Sequence, residues 1–255
     1  MAQKEFKNYK ISIILPNYNS SKYISSTIKS VINQSYKHWE LIIVDDCSNK
    51  QTLTKLLKFS KNKKIKIIFL KKNKGSAFCR NLAIQKSRSE YLAFIDSDDL
   101  WEKNKLKDQL LFMIKNKYKF TYTDYKTFKD EGKKFKKVST PNKLNFEDFI
   151  KDTSIATSCM MVNRATAKNI KFTNTKICED YYFKCRILKK IEYAYSLKKY
   201  LTKYRIRKNS LQSNRIKNFY WIWKINKNFN KLSFVKNISS LFFISLSSIK
   251  RYGLK

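Results

Sequence analysis

The chain has 255 residues, 42% of them hydrophobic, which allows one large α/β domain, alone or with an appendage, and argues against a disordered polymer. Its 56 Lys and Arg against 19 Asp and Glu give a formal net charge of +37, so an anionic partner is expected unless most of these lysines are simply solvated. The five cysteines (Cys47, Cys79, Cys159, Cys178, Cys185) are odd in number and show neither CxxC nor zinc-finger spacing. That pattern argues against a disulfide framework or structural zinc and fits a reducing compartment.

The opening MAQKEFKNYK lacks an apolar signal core. No run approaches the roughly 18 to 20 apolar residues of a membrane span, so a cytoplasmic location is expected. ISIIL (11–15) predicts a strand buried on both faces, and Ile24, Ile28, Val31 and Ile32 follow at helical spacing. LIIV (41–44) is a second strand, with Leu53, Leu56 and Leu57 marking a short helix behind it. IKIIFL (65–70) is a third, followed by Gly75 and a helix carrying Ala77, Leu82 and Ile84. YLAFI (91–95) is the fourth, and Leu106, Leu110, Met113 and Ile114 mark the helix after it. Strands alternating with helices in this way predict an α/β fold whose parallel sheet is flanked by helices.

Beyond about residue 125 the rhythm changes. YTDYKTFKDEGKKFKK predicts a strand and a basic loop, NFEDFI a short helix, SCMMVN a strand, EDYYFKCRILKK a helix and KKYLTKYRIRK another strand. From about 214, RIKNFYWIWKINKNF and LSFVKNISSLFFISLSSIKRYG predict two helices with aromatics set between cations.

Open α/β sheets bind ligands beyond the carboxyl ends of their strands, and here those ends read PNYN, DDCSN, KKNKG and DSDD. Asp96-Ser97-Asp98 is a D-x-D whose side chains share one side of an extended chain, and two such carboxylates could share a cation such as Mg²⁺ or Mn²⁺. A turn, or the cap of the next helix, is the competing explanation, and Asp99 is expected to serve as that cap. Asp45 and Asp46 could bind a base or ribose, or close a turn. Pro16 and Tyr18 in PNYN could form a rigid loop with a stacking face, or an ordinary strand-ending turn, because proline cannot continue a central ladder.

Neither G-x-G-x-x-G nor G-x-x-x-x-G-K-[ST] occurs, so a diphosphate would have to be neutralised by other means. In Glu179-Asp180 a carboxylate could be a general base, or an acid favoured by a helix N-terminus. The only histidine, His38, precedes the second strand and is expected to be a structural loop residue. Arg205 and Arg207 could grip a phosphate or remain solvated.

The ordered set ISIILPNYNSSKYISSTIKSVINQSYKHWELIIVDDCSN, NKGSAFCRNLAI and YLAFIDSDD closely resembles family 2 glycosyltransferases, inverting enzymes whose GT-A fold is a Rossmann-like mixed sheet flanked by helices. The likeness is strong over 10–116 and weaker over 155–210, in SCMMVNR, ICEDYYFKCRI and YRIRKNSLQS. It implies a GT-A domain over 1–210, with a nucleotide-sugar-binding half at 10–116 and an acceptor-side half at 117–210, whereas residues 211–255 match no family pattern and read as a basic aromatic helical extension. It further implies a nucleotide-diphosphate sugar donor, a UDP-sugar by family frequency. Pro16, Tyr18 and Asp46 then line the nucleoside pocket with Asp45 beside them, and Arg80 of the family's RN motif supports the same site. Asp98 is the implied main ligand for Mn²⁺ or Mg²⁺, Asp96 assists it, and Asp180 is the implied general base.

Two departures stand out. Cys47 follows the Asp pair where glycine is common, and Arg207 stands where Y-R-x-H often has histidine, which makes Arg207 a candidate diphosphate contact instead of a metal ligand. The expected acceptor is a glycan or a lipid-linked glycan for the cell surface, reached from the inner face of a membrane that the extension could touch through its anionic lipid. A basic nucleic-acid-binding protein is the rival function, and it leaves the acidic strand ends without a role. A relative that only binds nucleotide sugar is a third.

Overall fold

The four apolar runs become parallel strands in the computed structural model, which describes residues 9–129, 132–173, 175, 177–207 and 215–252. β1 (Ile11–Asn17), β2 (Trp39–Asp45), β3 (Ile65–Phe69) and β4 (Tyr91–Phe94) alternate with α1 (Ile24–Ile32), α2 (Lys50–Leu57) and α3 (Ser76–Lys86). A short β5 (Leu100–Trp101) precedes α4 (Lys105–Lys115). The chain continues through β6 (Phe120–Lys129), β7 (Gly132–Val138), β8 (Lys143–Leu144), α5 (Phe146–Asp152), β9 (Met161–Asn163), α6 (Arg164–Ala167), α7 (Glu179–Leu188) and β10 (Ala194–Arg205). Then come α8 (Arg215–Ile225), a π turn (Asn226–Asn230) and α9 (Phe234–Tyr252). The readings of MAQKEFKN and of residues 208–214 lie outside the described residues.

All the strands join one mixed sheet, ordered β3-β2-β1-β4-β9-β6-β10-β5, with β7 paired to β6 and β8 to β10. Successive side chains of a strand face opposite ways, which divides β1 between two cores. Ile11, Ile13 and Leu15 pack with Ile24, Ile28 and Val31 of α1 and with Leu106, Leu110 and Met113 of α4. Ile14 packs with Ala77, Cys79 and Ala83 of α3 and with Phe183 and Ile187 of α7. Burying each such aliphatic side chain contributes about 1.5–3 kcal/mol.

Three details differ from expectation. β1 runs on through Pro16, which lies opposite Val44. Ile14 O accepts from Ile95 N, so even-numbered residues of β1 address β4, and β4 has ended by the time Pro16 would need to donate. The basic loop is in its second half a strand, β7, hydrogen-bonded antiparallel to β6. SCMMVN divides into a 3-10 turn (Thr157–Cys159) and the short β9, which inserts antiparallel between β4 and β6.

The C-terminal helices share the main core: Ile222, Ile225 and Ile244 pack in the same cluster as Phe149 of α5 and Phe183 of α7. A buried polar knot ties these elements together. Asn226 Oδ1 accepts from Tyr181 Oη at 2.8 Å and from Asn230 Nδ2 at 2.9 Å. Its Nδ2 donates to Ser240 Oγ at 3.0 Å and to Asn237 Oδ1 at 3.2 Å, and Ser240 Oγ donates to Ile150 O at 2.6 Å. Orphaning buried partners costs about 1–3 kcal/mol, so Asn226→Ala should lower the free energy of unfolding by that much, read as a lower denaturant midpoint. Tyr181→Phe should cost less in the Asn226→Ala background than in the wild type, a non-additivity that a double-mutant cycle on the unfolding curves will read.

Candidate active site

The carboxyl ends of β1, β2 and β4 place PNYN, DDCSN and DSDD side by side. Pro16 is partly exposed, and Tyr18 is 53% exposed at the rim. Asp45 is fully buried and holds the loop, accepting from Asn17 Nδ2 at 2.6 Å, Ser48 Oγ at 2.6 Å and Ser48 N at 3.0 Å. Asp46 accepts from the backbone N–H groups of Lys74 at 2.7 Å and Gly75 at 2.8 Å, fixing the entry to α3. Gly75 sits at φ +86°, where a side chain would be strained. Cys47 adopts φ +63°, so its turn keeps the left-handed backbone that glycine would adopt without cost. His38 is an exposed loop residue whose carbonyl accepts from Ile11 N.

Arg80 comes from α3 and is buried, yet each end of its guanidinium meets a carboxylate. Nη2 reaches Asp96 Oδ1 at 2.7 Å and Nη1 reaches Glu179 Oε1 at 2.7 Å. Ser76 Oγ also donates to Glu179. Burial opposes the charge on Arg80, but Asp96 and then Glu179 outweigh it and raise its pKa further. The D-x-D of β4 and the first turn of α7 are thus joined through one side chain.

Asp180, beside Glu179, accepts from Lys184 Nζ and from Thr157 Oγ1, both at 2.7 Å. Burial disfavours its charge, but the Lys184 ammonium and the Arg80 guanidinium more than compensate and hold the carboxyl well below the usual range. The carboxylate is therefore fully ionised at neutral pH.

At the strand end Arg207 Nε lies 2.7 Å from Asp98 Oδ2, and Arg205 Nε donates to Asp98 O at 2.8 Å. Burial raises the Asp98 pKa and Arg207 restrains the rise. Asp99 does not cap a helix: β5 intervenes before α4 begins at Lys105. Its carboxylate accepts instead from Ser158 Oγ at 2.5 Å and Arg205 N at 2.8 Å. Burial, then the charges of Asp98 and Asp96, push its pKa well above the ordinary value.

The sequence pattern described as Glycosyl transferase family 2 matches residues 12–172. The chain belongs to this family. This family 2 glycosyltransferase is 36% identical over 228 residues to TuaG of Bacillus subtilis, a glycosyltransferase provisionally assigned to teichuronic acid biosynthesis, covering 89% of this chain and 90% of TuaG. It is 34% identical over 219 residues to the Escherichia coli UDP-Glc:alpha-D-GlcNAc-diphosphoundecaprenol beta-1,3-glucosyltransferase WfgD, covering 86% of this chain and 85% of that one. Its fold matches the crystal structure of Staphylococcus aureus TarS 1-349 in complex with UDP-GlcNAc, with a TM-score of 0.73 and 23% identity over 94% of this chain and 73% of TarS. The expected mixed sheet with flanking helices is therefore the fold of a GT-A transferase.

Among the described residues of this glycosyltransferase, no cluster of three or more His, Cys, Asp or Glu could hold a metal. Asp96 and Asp98 each meet an arginine through one oxygen, Oδ1 and Oδ2 respectively, and the two carboxylates supply hard oxygen donors of the kind Mg²⁺ and Mn²⁺ take together with substrate phosphates. The donor set fits such an ion once a diphosphate completes it.

Thr157, Ser158 and Lys184 join the site without a role expected from the sequence. Only Lys184 carried a signal, four residues from Asp180 on one helix face. A carboxyl held below its unfolded pKa contributes stability that is present above that pKa and is lost as pH falls through the folded one. Lys184→Met should therefore move the Asp180 titration upward, read by NMR of the labelled aspartate carboxyl, and bring acid unfolding to higher pH.

Proposed function

We propose that this glycosyltransferase moves a sugar, with inversion, from a UDP-sugar to a hydroxyl of a lipid-linked glycan during cell-surface polysaccharide synthesis. The carrying observation is the Arg80 clamp, which brings the D-x-D end of β4 against the first turn of α7, where Asp180 stands ionised. Donor and acceptor classes are supported by WfgD, whose name specifies UDP-glucose and a GlcNAc-diphosphoundecaprenol.

Each residue then has a task. Tyr18 and Pro16 form one wall of the nucleoside pocket, and Asp46 with Asp45 behind it shapes the other. Asp98, assisted by Asp96, would hold Mn²⁺ or Mg²⁺, which when bound supplies positive charge to the departing diphosphate. Arg207, held beside Asp98, would contact that diphosphate and cannot replace histidine as a metal ligand. Arg80 positions both motifs without touching substrate.

Asp180 accepts the proton of the acceptor hydroxyl as its oxygen bonds the anomeric carbon from the face opposite the leaving group. That hydroxyl becomes strongly acidic only as the new C–O bond forms, so a carboxylate of low basicity can still take its proton. One base and one displacement give inversion. The enzyme works as a peripheral protein at the inner membrane face, and among the described residues no helix is long and apolar enough to cross a membrane.

The test is a screen of nucleotide-sugar donors for Mn²⁺-dependent binding by calorimetry and for slow hydrolysis. Wild type should bind a UDP-sugar, Asp98→Ala should lose the Mn²⁺ dependence, and equal turnover by that variant would overturn the metal assignment. Asp180→Asn should keep donor affinity and lose roughly 10²- to 10⁴-fold in transfer, the span of a general base. Transfer at the wild-type rate would remove Asp180 from the mechanism.

A further inference from the structure

The outer face of α9 is apolar and unpartnered, opposite the face it buries. Asn237, Ser240 and Ile244 are buried on the inner side, where Ser240 bonds Ile150 O of α5. Phe234, Val235, Ile238, Phe242, Leu246 and Ile249 are between 37% and 75% exposed. At 3.6 residues per turn these six occupy an arc of about 120°, and with a rise of about 1.5 Å per residue the stripe runs for roughly 22 Å. An apolar surface this long on a single domain marks a contact.

Charge identifies the partner. Residues 211–255 carry nine Lys and Arg and no Asp or Glu. Lys250 flanks the stripe, Lys236 lies nearer the buried side and reaches Glu147 Oε1 of α5 at 3.5 Å, and on α8 and the π turn the exposed Tyr220 and Phe229 stand among Lys217, Lys224 and Lys227. A second copy docked through a two-fold axis would oppose the same segment to itself, bringing cation against cation with no carboxylate of its own to pair. Anionic headgroups neutralise those cations while the acyl boundary takes the aromatic and aliphatic stripe. On such a surface α9 would lie in the interface plane, since none of the described helices is long and apolar enough to span it.

We infer that the outer face of α9, with the adjoining exposed edge of α8, docks the enzyme on an anionic lipid surface. The inference deepens the proposed lipid-linked acceptor and rests on that reading. α9 packs on α5, and α5 packs on α7, whose first turn carries Glu179 and Asp180. Only α5 therefore lies between the docking helix and the candidate base helix, which keeps the acceptor side near the lipid that would anchor its substrate.

The experiment is co-flotation of the full chain with phosphatidylcholine vesicles made with or without phosphatidylglycerol, at low and high salt, alongside light scattering and UDP-sugar binding in solution. Wild type should float with the anionic vesicles, more weakly with neutral ones, and less at high salt. The double variant Phe242→Glu/Leu246→Glu should partition about 10-fold or more less well, since it removes two large apolar contacts and adds repulsion. Its donor binding and thermal melt should be unchanged, and Ile238→Ser/Phe242→Ser serves as the milder variant if the charges unfold α9. Equal flotation of wild type and variant would overturn the inference. So would failure of the wild type to float, or a dimer that the variant dissociates. Loss of flotation with donor binding retained leaves the transferase proposal standing, whereas absent donor binding in a wild type that floats would sink the transferase proposal alone.

Discussion

A buried guanidinium is tolerable only with carboxylates around it, and Arg80 organises the site by meeting that requirement with groups from two distant segments. Asp96 lies 16 residues away in sequence and Glu179 lies 99 away. Removing either carboxylate would leave one end of the buried guanidinium without its acceptor, a loss of about 1–3 kcal/mol, so the strand end and the α7 helix are held in one geometry. Asp180 inherits its position from this arrangement, since it follows Glu179 on the first turn of α7.

The acidic cluster is stabilised in layers around that clamp. Ser158 accepts from Asp96 N at 3.0 Å and donates to Asp99, so the 3-10 turn before β9 props up the DSDD loop from beneath. Trp101 Nε1 donates to Ser158 O at 2.8 Å and fixes that turn in its own place. Lys105 lies 3.9 Å above the Trp101 ring, and burial lowers its pKa to about 7. The ring face favours the ammonium and opposes that fall. Four carboxylates at the site, Asp96, Asp98, Glu179 and Asp180, each meet a cation of the protein, which answers the mutual repulsion that their crowding creates.

The first half of the fold was legible because β1, β2 and β4 are buried on both faces and so read as unbroken apolar runs. β7 was hidden because GKKFKKV offers almost no apolar periodicity, and its partner β6 supplies the ladder instead. Asp99 was misread as a helix cap because two residues of β5 leave no periodic trace before α4. The motif residues of the site could be named from local sequence, but Arg80's position could not. It depends on contacts between segments far apart in the chain, and one sequence carries no local sign of such pairing. Asp45 and Asp46 stood as either ligands or turn residues; Asp45 ties its own turn to the end of β1, and Asp46 ties that turn to the loop before α3, each through two or more hydrogen bonds.

Because Ile222, Ile225 and Ile244 complete the core around α7, the last two helices are not a detachable tail. A transplantable unit that contains α7 is then longer than the motif-bearing region. A chimera that exchanges α7 between relatives would have to carry residues 215–252 from the same parent, or the graft would open a cavity and strand the Asn226 knot. Change on the buried face of α7 is thereby tied to compensating change in the last two helices.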